Sequence, residues 1–243
     1  MDTTSKDAST SDIVPEGGSR AERKQAKRLA LLALWLVVLQ AIPISLGIVL
    51  KIKVLLVAAV LFLHWGIPLI AALVIEKRGV SSLGLVLQKE QIRRYVFFAL
   101  VGFVVAYIVH NCKWLLLVHV APESAQELAS RGNVFVSLFI QLAMVVLPEE
   151  LLYRGYLQTR FCEWLGSARG LLLSSILFGF VHVFSRVMSQ GATYALPAFI
   201  VGTASFFSGL VFGFQYLKTR SIAPSAVAHI ALNLTPILLV IER

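Results

Sequence analysis

Two adjacent carboxylates and an arginine stand together in the run Pro148-Glu149-Glu150-Leu151-Leu152-Tyr153-Arg154, at the end of a long apolar stretch. At membrane depth such residues cost several kcal/mol unless they are paired or hydrated. On a helix Glu150 and Arg154 lie four apart on one face, acid before base, so they neutralise one another. Glu149 points about 100° away and is left for proton chemistry. The adjacent pair thus offers one structural and one reactive carboxylate.

Three more polar side chains interrupt later apolar runs: His182 in Leu177-Phe178-Gly179-Phe180-Val181-His182, and His229 with Asn233 in Ala228-His229-Ile230-Ala231-Leu232-Asn233. The spacing of four residues puts His229 and Asn233 on one helical face. Counted from the cytoplasmic helix ends, Glu149, His229, Asn233 and His182 fall at depths of about 8, 10, 16 and 18 Å. All four are expected to face one cavity in the inner half of the bilayer.

A carboxylate and an imidazole together deprotonate a water. A second imidazole N–H and an asparagine amide donate to the oxyanion formed when that water attacks a peptide carbonyl. No serine, cysteine or aspartate forms a comparable nucleophilic arrangement with these histidines. One carboxylate and two imidazoles are also a zinc set, with Glu149, His182 and His229 as ligands and Glu150 as base. The sequence has no HExxH, and Glu150 already has Arg154, so the reading preferred here is metal-free, with no cofactor.

At these residues the sequence resembles the CPBP family, the CAAX proteases and bacteriocin-processing enzymes that include the type II CAAX prenyl endopeptidases. Their membrane helices carry EExxxR, FxxxH and HxxxN in that order. Here Glu149, Glu150 and Arg154 fill the first motif, Phe178 and His182 the second, and His229 and Asn233 the third. The resemblance covers about residues 134–240. It implies an intramembrane endopeptidase in which Glu149 and His182 activate water, His229 and Asn233 stabilise the oxyanion, and Glu150, Arg154 and Phe178 shape the site. Eukaryotic relatives remove the last three residues of prenylated CAAX proteins, so the implied partner is a peptide or protein substrate, lipidated ones included. Residues 1–130 match no motif, and the substrate stays open.

His64, His110, His119 and Lys113 match no motif and are read as non-catalytic; His119 falls near the outer interface and Lys113 can snorkel. Two readings from other classes remain. A proton-coupled transporter also uses intramembrane Glu and His, but no paired Gly- or Pro-broken helices occur in matching halves. A non-catalytic bacteriocin-immunity or scaffold protein would keep the fold without the chemistry.

These side chains must be held by membrane helices. Of the 243 residues, 58% are hydrophobic and 14% charged, with a mean hydropathy of +0.80, against about 25% charged in soluble domains. Apolar runs of about 20 residues recur, each long enough to cross a hydrocarbon core. The spacing predicts an all-α, multi-pass transmembrane bundle of seven to eight spans around a buried polar catalytic cavity. Helices are expected at 29–50, 54–75, 95–121, 134–160, 170–188, 195–217 and 222–241, the third and fourth long enough to break or tilt.

Residues 1–28 are polar and end in a basic run, and are read as a disordered cytoplasmic tail. Residues 29–130 are read as N-terminal transmembrane helices and 131–243 as the catalytic membrane core. Most of the 22 lysines and arginines fall on the tail's side, which puts the N-terminus in the cytoplasm and the protein in the cell membrane. The net charge of +9 is therefore a topology signal toward the bilayer, with no nucleic-acid partner expected. Cys112 and Cys162 lack CxxC spacing, which argues against a disulfide framework.

Overall fold

A computed structural model describes residues 21, 24–35, 38, 54, 58, 60–120 and 138–240. Among these the chain is all-α, with no strand. Seven helices position the site: α1 (24–35), α2 (60–75), α3 (Ile92–Val120), α4 (138–165), α5 (Ser167–Gln190), α6 (Ala195–Thr219) and α7 (Ala223–Val240). The segments 89–120, 167–190 and 192–219 are long and apolar enough to cross a membrane. Exposed Val96, Phe97, Leu100, Val104 and Ile108 on α3 form the surface expected of a lipid-facing helix. The protein is an integral membrane protein.

Two expectations meet different outcomes. His110, Asn111 and Lys113 do not break α3, which runs for 29 residues, about 43 Å at 1.5 Å per residue. Residue 21 and residues 24–28, which the tail reading takes as disordered, are helical, and 24–28 form the start of α1. The remainder of residues 1–28 and most of the expected span 29–50 lie outside the described residues.

Helices α2 and α4 share one irregularity. Each carries a proline, Pro68 or Pro148, with wider turns on both sides: Val60–Gly66 and Ala71–Ile75 in α2, Gln141–Val146 and Leu151–Gln158 in α4. A proline donates no backbone hydrogen bond, and the ladder around it rearranges. Such wide turns occur frequently at functional sites, and Glu149 and Glu150 sit between the two in α4.

α2 and α4 are locked together at one end. Arg160 lies 2.5 Å from Glu76, the Tyr156 hydroxyl donates to Glu76 at 3.0 Å, and Arg78 donates to both oxygens of Glu163 at 2.5 and 3.1 Å. Glu76 and Arg160 are buried, so each depends on the other for compensation. Close packing holds the remaining helices. A Cβ on Gly179 of α5 would stand 2.7 Å from the carbonyl oxygen of Gly202 on α6, the small-residue contact by which membrane helices approach. Gln215 of α6 donates to the Phe98 carbonyl at 2.5 Å and to that of Pro224 at 3.5 Å. One amide thereby joins α3, α6 and α7.

Candidate active site

Helix α4 supplies Glu149, Glu150 and Arg154, α5 supplies Phe178 and His182, and α7 supplies His229 and Asn233. Glu150 is fully buried. Its Oε1 lies 3.3 Å from Arg154 Nη1, the pair expected from the four-residue spacing, and 2.9 Å from His229 Nδ1. A carboxylate accepts, so His229 donates its Nδ1–H. The other ring nitrogen, Nε2, stands 3.8 Å from Glu149 Oε2. One imidazole is thus flanked by both carboxylates.

Arg154 is held as much by rings as by charge. Its guanidinium lies 4.2 Å from the ring centre of Phe178, 5.2 Å from Phe212 and 5.9 Å from Tyr153. Cation–π contact of this kind strengthens when desolvated, and Arg154 is 2% exposed. Phe212 also stacks on the His229 ring, with centroids 4.9 Å apart and planes 23° off parallel. The floor of the site is therefore rigid.

His182 is oriented from within its own helix. Its Nδ1 lies 2.8 Å from the Phe178 carbonyl oxygen; a carbonyl accepts only, so Nδ1 carries the proton and Nε2 of the neutral ring presents a lone pair. The Phe178 ring packs edge-on against His182 at 4.5 Å. Asn233 donates from Nδ2 to Gln141 Oε1 at 3.1 Å, which fixes the amide and leaves its second N–H for another acceptor.

His182, His229, Asn233, Gln141, Phe178 and Phe212 all line a cavity of about 300 Å³. Glu149 is not on its wall. Its carboxylate lies behind His229, its side chain 21% exposed, with Oε2 lacking a hydrogen-bond partner among the described residues. It stands within electrostatic range of His182 and of His64 on α2. The expected set is brought together around His229, whose Nε2 stands 3.8 Å from Glu149 Oε2. Among the described residues no three His, Cys, Asp or Glu side chains converge as a metal site, so the zinc arrangement of Glu149, His182 and His229 is not assembled.

Gln141 and Phe212 were not singled out from the sequence, and His110 was set aside. Gln141 meets Asn233 across 92 residues, and Phe212 is one phenylalanine among 15, so neither carries a local signal. His110 is buried and lines the same cavity as the motif residues. Which way α3 turns His110 is not fixed by its sequence neighbours, Asn111 and Lys113 included.

Residues 131–235 match the family described as type II CAAX prenyl endopeptidase Rce1-like. That segment carries all three motifs, and the resemblance read from them is borne out there. A comparison with curated proteins found no match, and one with solved structures found none.

Proposed function

Starting from a chain whose residues 131–235 are Rce1-like, which supports a membrane protease, we propose an intramembrane endopeptidase that hydrolyses peptide bonds of membrane-associated or lipidated substrates with a water activated by Glu149. The observation that carries this reading is Glu149 Oε2, without a hydrogen-bond partner and 3.8 Å from His229 Nε2, beside a cavity lined by His182, His229 and Asn233.

In this reading a water enters between Glu149 and the Nε2 lone pair of His182. Glu149 takes one proton as the oxygen attacks the substrate carbonyl carbon. The carbonyl oxygen becomes an oxyanion and accepts from Asn233 Nδ2–H and from His229 Nε2–H. This role requires a proton on Nε2 as well as the Nδ1–H that holds Glu150. Glu149 then delivers its proton to the leaving nitrogen as the C–N bond breaks. The products are a new carboxylic acid, which gives its remaining proton to the new amine or to water, and that amine; Glu149 returns to its starting state.

Glu150 and Arg154 act as positioning residues, through His229 and the aromatic floor. Residues 131–243 serve as the catalytic core, with residues 29–130 completing the cavity from the N-terminal side. The bias of lysine and arginine supports a cell-membrane protein with a cytoplasmic N-terminus.

The test is cleavage of a prenylated CAAX-type reporter peptide by the purified protein in liposomes. Wild type releases a new C-terminus, and Glu149→Gln does not; cleavage by both at one rate refutes the assignment.

A further inference from the structure

The motif residues leave Glu149 without an orienting partner. Arg154 is taken by Glu150 and by the rings around it, His182 Nδ1 by the Phe178 carbonyl and His229 Nδ1 by Glu150. Glu149 Oε2 is enclosed and has no hydrogen-bond partner among the described residues. A base in catalysis is ordinarily oriented by a third group. That group has to come from outside the three motifs.

Helix α2 offers one. Its first wide turn, Val60–Gly66, packs against Leu147–Glu150 of α4. The Trp65 indole donates to the Ala143 carbonyl at 3.2 Å, which fixes how this turn is rotated on α4. Pro68, Ala71 and Ala72 are buried, whereas Phe62, Ile70 and Val74 are exposed. His64 stands one turn before Pro68 and two before Ala72, so it belongs to the inward stripe. Its Nδ1 is enclosed and has no hydrogen-bond partner among the described residues, and Glu149 lies within its electrostatic range. Enclosed polar atoms are normally paired. Here an imidazole nitrogen and a carboxylate oxygen, each without a partner, lie on the two sides of one helix contact.

We infer that His64 is a positioning residue for the hydrolysis, its Nδ1–H holding the Glu149 carboxylate directly or through one bridging water. This rests on the endopeptidase reading above and deepens it. Three imidazoles stand around Glu149, from α2, α5 and α7, and His64 is the one whose Nδ1 is not already engaged. A carboxylate offers about four acceptor sites, so the one used by His64 leaves others for the proton of the attacking water. His64 also precedes the matched segment 131–235. The N-terminal helices therefore orient the base that the Rce1-like segment carries.

The test uses the full-length protein in liposomes with the prenylated reporter. His64→Phe keeps a ring and loses the donor; His64→Asn keeps a donor near the place of Nδ1. His64→Phe is expected to lower kcat at least about tenfold with KM changed less than about twofold, because the base and not the substrate is disturbed. His64→Asn is expected to recover most of that loss. In the Glu149→Gln background His64→Phe is expected to change the residual rate less than about twofold, since a residue that acts through Glu149 has nothing left to act through. Should the larger ring lower the melting temperature, His64→Leu takes its place with the same expectations. A second reading needs no turnover: infrared difference spectra between wild type and Glu149→Gln isolate the Glu149 carboxylate band. His64→Phe is expected to shift that band, and His64→Asn to return it toward the wild-type position.

A wild-type kcat in His64→Phe overturns the inference, and so does a loss that persists in full in the Glu149→Gln background. A loss that follows the melting temperature and is not recovered by His64→Asn makes His64 a packing residue and also overturns it. If wild type cleaves the reporter and the carboxylate band ignores His64, the protease reading stands and the inference falls. A band that responds to His64 in a wild-type protein that cleaves nothing keeps the pairing and removes the protease reading.

Discussion

His229 Nδ1 lies 2.9 Å from Glu150 Oε1, joining α7 to α4 across the floor of the cavity. The contact makes Glu150 the centre of a buried chain, with Arg154 on one side at 3.3 Å and the imidazole on the other. It also sets which nitrogen of His229 is turned toward Glu149.

Glu150→Ala removes the acceptor for two buried groups at once. Breaking one side of a buried ion pair costs about 3 to 5 kcal/mol, and Glu150 is fully buried. The expected outcome is a large fall in thermal midpoint in detergent, with loss of activity following the loss of fold. Glu150→Gln keeps an acceptor and is expected to fall less. A midpoint unchanged by either substitution contradicts the central position of Glu150.

Glu149→Gln separates from it. The Glu149 side chain is 21% exposed, and its Oε2 has no hydrogen-bond partner among the described residues, so an amide there disturbs little packing. Stability is expected to stay near wild type while the hydrolysis rate falls by about 10²- to 10⁴-fold, the usual worth of a positioned proton acceptor. Thermal melts and rates measured on one preparation check both halves.

Asn233→Ala is expected to lower kcat by about 10²- to 10³-fold with little change in KM, because an oxyanion donor acts mainly in the transition state. Gln141→Ala is expected to cost less. Gln141 only accepts the Asn233 amide at 3.1 Å, and the amide keeps its other N–H without it. Equal losses at the two positions would show that Gln141 itself contacts the substrate.

Complete metal removal tests the mechanism from another side. A glutamate-activated water predicts that activity persists after dialysis against a chelator and that added zinc does not raise it. Activity lost on chelation and restored by zinc would require Glu149, His182 and His229 to move together on binding.

What was legible in the sequence is what local spacing controls. A separation of four residues puts Glu150 beside Arg154, and the one-residue offset turns Glu149 away; both follow from helical geometry alone. The same rule ties His182 to the Phe178 carbonyl. Illegible were contacts that depend on how each helix is rotated about its axis. His229 on Glu150, Phe212 on His229 and Asn233 on Gln141 each join residues from different helices. His110 shows the same limit, because whether it reaches the cavity is set by where α3 faces. Helix boundaries were legible where apolar runs end in Gly or charge, as at Gly191 and Arg220.

The most direct test is the rate at which wild type and Glu149→Gln, reconstituted side by side in liposomes and shown to melt alike, release a new C-terminus from the prenylated reporter, read by mass spectrometry. The account predicts cleavage by wild type and a loss of at least about 100-fold in the variant. Equal rates from two equally folded proteins would contradict it.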